Sequence, residues 1–271
     1  MAADDDLKIY TDFLHEVASA AANVSLKYFK KPIEVQSKGP KLGTDFDPVT
    51  IADQNTEKAI RELIRTRFPD HNIQGEEQAT EQKGSDYTWV IDPIDGTRAY
   101  ITGIPTWGTL VSLHDGNKTI VGMLDQPYLK ERYIGTENTT MFNGRKISCR
   151  PCDDLFNATI STTDPLQLFR GPIEQDAFFR VASRAKLMRN GYDCYAYAMI
   201  AAGFIDVVIE SGLEPYDIQA MIPIIEGAGG IVTNWQGGAV NDLNANDGGQ
   251  ILACGDKRLH EQVVELLNIT D

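Results

Sequence analysis

An apolar run that leads into two closely spaced aspartates is the feature that most constrains this chain. The segment WVIDPIDGT fills residues 89–97. Its first residues are large and apolar, as in a buried strand, and we expect the strand to stop at Asp92. Because Pro93 fixes its own φ at about −65°, a stiff turn should hold Asp92 and Asp95. Carboxylate and carbonyl oxygens are the ligands that Mg²⁺ prefers, so the segment predicts a hard-cation site.

The residues after this turn favour an anion site. Gly96 and Thr97 should start a helical turn, whose unpaired backbone N–H groups can face a phosphate. Metal ligands and a phosphate cradle would then lie within one short segment. An ordinary Asp-Pro turn with a helix-capping aspartate is the alternative, because such turns are common.

Further acids occupy the ends of other predicted elements. Asp53 falls in the first turn of a helix, Glu76 and Glu77 end a short strand, and Asp217 opens a later helix. Each of them alone is explained as a solvated residue or a helix cap. Together they match the oxygen-rich pattern of a site for several cations.

The order of predicted elements indicates an α/β protein with two parts. Amphipathic helices and an antiparallel sheet, with a hairpin turn at residues 115–117, fill the first half. After it, strands and helices alternate. We therefore predict an α+β metal-binding domain at residues 1–146 and an α/β substrate-recognition domain at residues 147–271. A glycine- and proline-rich stretch at residues 38–43 is expected to form a loop that is mobile in the absence of ligand.

The charge of the chain excludes several partners. Its formal net charge is −14 over 271 residues, which opposes binding to nucleic acid or to an anionic membrane. No apolar run approaches the length of a membrane span, and the acidic start lacks the pattern of a secretory leader, so a cytoplasmic protein is expected.

Cys149 and Cys152 are interpreted as an incidental reduced pair, because no second pair completes a zinc site.

Four segments together resemble the inositol monophosphatase superfamily of Mg²⁺-dependent phosphatases. They are GEE at residues 75–77, WVIDPIDGT at 89–97, PYD at 215–217 and EGAGG at 226–230. The Trp-Asp usual in the third motif is Tyr216-Asp217 here, which keeps the aromatic ring and the acid. The resemblance implies a layered αβαβα fold of the inositol monophosphatase and fructose-1,6-bisphosphatase type. It also implies Mg²⁺ as cofactor, with two or three ions per site, a small phosphate ester as substrate, and a homodimer.

The resemblance also assigns roles by position. The implied metal ligands are Glu76, Asp92, the backbone carbonyl of Ile94, Asp95 and Asp217. The implied catalytic residues are Asp53, Thr97 and Glu76, with Asp53 and Thr97 similar to the pair that orients and deprotonates the attacking water. Gly96 and Thr97 would offer N–H groups to the phosphate, and Lys38 resembles a loop lysine near the substrate.

Three further segments, at residues 97–110, 191–197 and 210–217, resemble the histidinol-phosphate phosphatase branch. That branch hydrolyses L-histidinol phosphate to L-histidinol and phosphate in histidine biosynthesis. The substrate carries an ammonium and an imidazole, which carboxylates such as Asp193 and Glu210 would bind. A salt bridge from Asp193 to Arg189 is the alternative for that acid, and Glu210 would also suit a sugar hydroxyl.

Other functions stay open at this point. An inositol monophosphatase or a broad sugar phosphatase would use the same metal chemistry. A metal- or phosphate-binding protein without turnover is a further alternative. Replacement of Asp53, Thr97 or a metal ligand would favour this alternative, and the sequence shows no such replacement.

Overall fold

The computed structural model describes residues 4–39, 46–243 and 248–269 and arranges them in five layers of helices and sheets. Residues 40–43 of the predicted loop lie outside these ranges. Helices cover both outer faces, two sheets lie inside them, and further helices separate the sheets. The predicted layered αβαβα fold is therefore confirmed.

Two amphipathic helices form the first outer layer. The elements at this end of the chain are α1 (Asp4–Ser25), β1 (Val35–Ser37), β2 (Pro48–Thr50) and α2 (Ile51–Arg67). Leu14 of α1 and Ile60 of α2 are fully buried against the first sheet. Thr50 caps α2, and Asp53 accepts a bond from the Thr50 N–H, so the helix begins with a capping box.

The first sheet has seven strands, in chain order, among the described residues. They are β3 (Asn72–Gly75), β4 (Thr88–Asp95), β5 (Gly108–His114), β6 (Thr119–Gln126), β7 (Glu131–Thr136), β8 (Thr139–Phe142) and β9 (Arg145–Ile147). The turn expected at Asp92 is wrong, because β4 continues to Asp95 through a bulge against β5. A bulge can accept Pro93, which has no N–H to give to a regular ladder. Helix α3 (Thr97–Thr102) starts directly after this strand.

The second sheet has five described strands, in the order β11-β10-β12-β14-β13. They are β10 (Thr159–Thr162), β11 (Leu187–Asn190), β12 (Val207–Glu210), β13 (Ile231–Thr233) and β14 (Ile251–Cys254). The remaining helices are α4 (Pro172–Ala182), α5 (Cys194–Ala201), α6 (Pro215–Ile218), α7 (Met221–Gly227) and α8 (Lys257–Leu267). Helices α4 and α8 cover the outer face of this sheet, and α5 to α7 lie between the sheets.

Helix α7 packs very closely on the first sheet. A Cβ on Gly122 would fall on the carbonyl of Ala220, and one on Gly135 would fall on the backbone of Ile224. Glycine at these two strand positions lets the helix backbone approach the strands. Helix α6, which carries Asp217, leads into α7, so this contact helps to set the position of that acid.

The two halves share part of their core. The first sheet ends at Ile147, next to the predicted boundary after residue 146. One apolar cluster contains buried residues of both halves, among them Leu124 and Ile224. The division into two domains stays a prediction.

None of the described helices combines the length and the hydropathy of a membrane span.

Candidate active site

Three aspartates from separate parts of the chain converge. Asp92 and Asp95 lie in the bulged end of β4, and Asp217 lies in α6. One carboxylate oxygen of each lies within 4.8 Å of those of the other two. Within the described ranges, this is the one group of acids, cysteines or histidines with such spacing. A cation placed among them can be held by all three.

Each of four acids in this region is anchored at one oxygen by a backbone N–H group. The donors are Thr50 for Asp53 (2.8 Å), Ile94 for Asp92 (3.0 Å), Cys194 for Asp95 (2.7 Å) and Glu214 for Asp217 (2.7 Å). Asp53 and Asp217 use the same device, because each occupies the third position of its helix in a capping box. These charge-assisted bonds orient the carboxylates before any ligand binds.

Mutual repulsion makes this cluster unfavourable without a cation. Burial raises the pKa of Asp92 well above its usual value, and neighbouring carboxylates, first that of Glu76, raise it further. Burial also raises the pKa of Asp95, followed by the charge of Asp217. Like charges that share a site hinder one another's ionisation, and a divalent cation reverses this effect. The acids present therefore fit a divalent metal.

The Lys38 ammonium bridges the two glutamates that follow β3. Its Nζ lies 2.8 Å from Oε1 of Glu76 and 2.6 Å from Oε1 of Glu77. Burial alone would lower the pKa of Lys38, but the two glutamates outweigh this effect and raise it. Burial and then the charge of Glu76 raise the pKa of Glu77 to about 7, against the effect of Lys38. Lys38 thus supplies positive charge at the edge of the acid cluster.

Asp53 and Thr97 lie side by side at the starts of α2 and α3. The Thr97 hydroxyl lies within hydrogen-bond distance of Oδ1 of Asp53 and of the carbonyl oxygen of Ile94. Asp53 is 1% exposed. Burial raises its pKa, although hydrogen bonds from Thr50 oppose the shift. A carboxylate with a raised pKa beside a hydroxyl suits proton transfer near neutral pH.

Asp193 lies in the pocket wall against Gly96. A Cβ on Gly96 would come within 3.0 Å of the Asp193 side chain. The Asp193 backbone has φ 46° and ψ −141°, a region that few non-glycine residues adopt. Burial raises its pKa to about 6, while the charge of Arg98 lowers it. The alternative of a salt bridge to Arg189 is wrong, because no ion pair joins these two described residues and Arg98 is the cation that acts on Asp193. Nε of Arg189 donates to the Tyr192 hydroxyl instead.

Glu210 ends β12 and is 2% exposed. Its Oε1 accepts bonds from the backbone N–H (2.6 Å) and the hydroxyl (2.8 Å) of Thr163, and its Oε2 accepts one from the hydroxyl of Thr162 (3.2 Å). Burial raises the pKa of Glu210 to about 8, although the bonds from Thr163 oppose the shift. A carboxylate has about four acceptor positions, so Glu210 retains capacity for a further donor.

One pocket brings most of the sequence-predicted residues together. Its lining includes Glu76, Asp92, Ile94, Asp95, Gly96, Thr97, Asp193, Glu210 and Asp217. Asp53 and Lys38 are not part of this lining, but each contacts a lining residue, Thr97 and Glu76 respectively. Sequence reasoning misses eight further lining residues, among them Arg98 and Tyr197. Tyr197 follows Asp193 by one helical turn, and this spacing could have identified it, whereas no local signal identifies Arg98.

Comparison with known proteins identifies the family. A sequence model of the inositol monophosphatase family matches residues 6–270. A chloroplastic bifunctional phosphatase of Arabidopsis thaliana is 42% identical over 98% of this chain and 77% of its own length. A histidinol-phosphatase of Chlorobaculum parvum is 33% identical over 82% of this chain and 84% of its own. A solved inositol monophosphatase from Zymomonas mobilis superimposes with a TM-score of 0.85 at 34% identity, over 99% of this chain and 100% of that one.

These relatives are all named as phosphatases, their names differ in substrate, and the solved structure shares the fold of this chain. The family is metal-dependent, in agreement with the cluster of three aspartates. The chain therefore belongs to the inositol monophosphatase family.

Proposed function

We propose that the protein is a Mg²⁺-dependent phosphoric monoester hydrolase whose preferred substrate is L-histidinol phosphate. The residues that would hold the metal ions are Glu76, Asp92, the carbonyl of Ile94, Asp95 and Asp217. When bound, Mg²⁺ supplies Lewis acidity and offsets the negative charge of the phosphate. The main support for this choice of substrate is Asp193, an acidic residue with a strained backbone in the wall of the pocket.

Side chains and backbone groups of this chain activate the water and bind the phosphate. The Thr97 hydroxyl orients the attacking water, and Asp53, with its raised pKa, receives the proton of that water. Backbone N–H groups of Gly96 and Thr97 bind the phosphate oxygens. The water oxygen bonds to phosphorus as the ester oxygen leaves with a proton, so the products are an alcohol and inorganic phosphate.

The acids of the second half favour a cationic alcohol. Both Asp193 and Glu210 line the pocket. Asp193 directly precedes α5, and Glu210 is the last residue of β12. An ammonium or imidazolium gains more from such carboxylates than a neutral polyol does, because an unpaired carboxylate is costly to desolvate. Strained backbone persists where the surrounding structure and function require it, which agrees with a ligand contact at Asp193. Lys38 would approach the substrate from the opposite edge.

The test compares kcat/KM for L-histidinol phosphate and myo-inositol 1-phosphate, with Mg²⁺, in the wild type and in Asp193→Asn. We expect the wild type to prefer L-histidinol phosphate and the variant to lose roughly tenfold or more on that ester alone. Asp153→Asn is a matched control, since Asp153 pairs with Arg258 on the surface. Preference for the inositol ester, or an Asp193→Asn variant that discriminates as the wild type does, would contradict the proposed substrate.

Three expectations remain predictions of this proposal. A role in histidine biosynthesis follows from the proposed substrate. A cytoplasmic location is expected from the sequence, whereas the Arabidopsis relative is named as chloroplastic. A homodimer is expected from the family resemblance, and sedimentation that detects only monomer at micromolar concentration would exclude it.

A further inference from the structure

The hydroxyl of Tyr197 is a buried polar group without a partner in the pocket wall. Tyr197 is 3% exposed. Among the described residues that line the pocket, it is the one whose buried side-chain polar atom has no hydrogen-bond partner. A buried hydroxyl without a partner lowers stability, so native structures rarely keep one unless a ligand or water completes it.

The surroundings of this hydroxyl are acidic. Burial raises the pKa of Tyr197 well above its usual value, and the carboxylate of Glu210 is the largest of the charges that add to this effect. The phenol therefore stays neutral. Asp193 directly precedes α5, the helix that carries Tyr197, and both residues line the pocket. The charges that act on the hydroxyl are therefore negative, first that of Glu210 and then those of Asp95 and Asp217.

From this arrangement we infer that the Tyr197 hydroxyl accepts a hydrogen bond from the ammonium of the substrate and thereby selects phosphorylated amino alcohols. An ammonium has three N–H donors, and a hydroxyl oxygen flanked by carboxylates is an acceptor that one of them can use. Glu210 keeps capacity for a further donor beside its three threonine bonds, and Asp193 offers the charge of a second carboxylate. This inference rests on the proposed function, because it assumes an aminated alcohol in the pocket.

The test is Tyr197→Phe in the Mg²⁺-loaded protein, with L-histidinol phosphate and glycerol 2-phosphate as substrates. Glycerol 2-phosphate shares the ester chemistry and has no nitrogen. We expect kcat/KM for L-histidinol phosphate to fall roughly tenfold, chiefly through KM, and the value for glycerol 2-phosphate to stay within about twofold. The melting temperature should not fall, because the change removes no hydrogen bond of the folded protein.

Tyr195→Phe on the same helix is the matched control. Its hydroxyl donates to Oε2 of Glu131 at 2.7 Å, outside the pocket lining. This variant should lower the melting temperature slightly and leave the ratio of the two kcat/KM values unchanged.

The outcomes separate two failures. A wild type that hydrolyses both esters equally well would overturn the proposed substrate and, with it, the inference. A wild type that prefers L-histidinol phosphate would leave the proposed substrate standing. In that case a Tyr197→Phe variant that keeps the preference, or loses activity equally on both esters, would overturn the role of Tyr197 alone.

Discussion

The hydroxyl of Thr97 lies 3.3 Å from Oδ1 of Asp53, while the carbonyl oxygen of Ile94 is 3.1 Å from the same hydroxyl. The single hydrogen of this hydroxyl can form a well-aligned hydrogen bond to only one of these two oxygens at a time. The other oxygen of Asp53 is held by Thr50. The geometry therefore leaves Oδ1 of Asp53 available for a proton from a water that Thr97 orients.

Replacing Thr97 tests this arrangement. Thr97→Val keeps the shape and removes the hydroxyl, so we expect kcat to fall by roughly 10² to 10⁴. Thr97→Ser keeps the hydroxyl and should stay within about tenfold of the wild type. The measurement is kcat under saturating Mg²⁺, together with the melting temperature. Equal activity of the valine and serine variants would rule out a role for the hydroxyl.

Asp217→Asn should separate folding from metal binding. The amide oxygen can still accept the bond from the Glu214 N–H, so the start of α6 is kept. Loss of one charge relieves the repulsion on Asp92 and Asp95, and the metal-free protein should therefore melt at a higher temperature. The rise in melting temperature on adding Mg²⁺ should largely disappear.

Asp256→Asn provides the control for that variant. Asp256 caps α8, where its side chain accepts from the Arg258 N–H, and asparagine caps helices about as well. Because asparagine loses the ion pair with Arg258, the metal-free melting temperature should fall slightly, whereas the Mg²⁺-induced rise should stay near that of the wild type. A metal-free Asp217→Asn protein that is less stable than the wild type would contradict the repulsion argument.

Lys38→Gln should strengthen Mg²⁺ binding. The ammonium now occupies oxygens of Glu76 and Glu77, and a cation at Glu76 must displace or repel it. Without this charge the affinity for Mg²⁺ should rise about fivefold or more by titration calorimetry, since a like charge is removed from the site. Lys30→Gln is the control, because Lys30 lies 4.6 Å from the ring centroid of Tyr128 instead. Weaker binding in Lys38→Gln would refute the competition.

The stability of the metal-free protein should depend on pH through Glu210. Its pKa is about 8 in the folded protein and 4.5 in the unfolded chain. Between these values the unfolded chain releases the proton and the folded protein keeps it, so this group lowers the free energy of unfolding as pH rises.

Glu210→Gln cannot titrate and should gain stability over the wild type as pH rises from about 5 to about 8, by a few kcal/mol at most. Glutamine can still accept from Thr163, so packing is nearly kept. The measurement is urea unfolding of both proteins at the two pH values. A difference between them that does not change with pH would show that Glu210 ionises normally.

Local patterns predict much of this architecture. The alternation of strands and helices that the sequence predicts for the second half is present, for example in strand β12 (Val207–Glu210) and the last helix, α8 (Lys257–Leu267). The helix has apolar residues at helical spacing, and the strand is a short continuous apolar run. The acids at element ends are also readable one by one. Their convergence is not, because no spacing in the sequence relates Asp217 to Asp92, and only the family resemblance implied it.

The errors have tertiary causes. The bulge at Asp92 depends on the register of β5, which the residues around Pro93 do not specify. Arg98, rather than the nearby Arg189 of the alternative interpretation, is the cation whose charge acts on Asp193, and no local pattern relates these two residues. The orphaned hydroxyl of Tyr197 becomes evident only when its surroundings are known.

The close approach of α7 to the first sheet has a consequence for genetics. Gly122 and Gly135 lie in the strands beneath that helix and are not among the residues that line the pocket. A methyl group at either position would push α7 outwards and carry Asp217 with it. A screen for loss of phosphatase activity should therefore recover alleles at these two glycines together with alleles at the acids, and distance from the pocket would be a poor guide to which alleles are inactive.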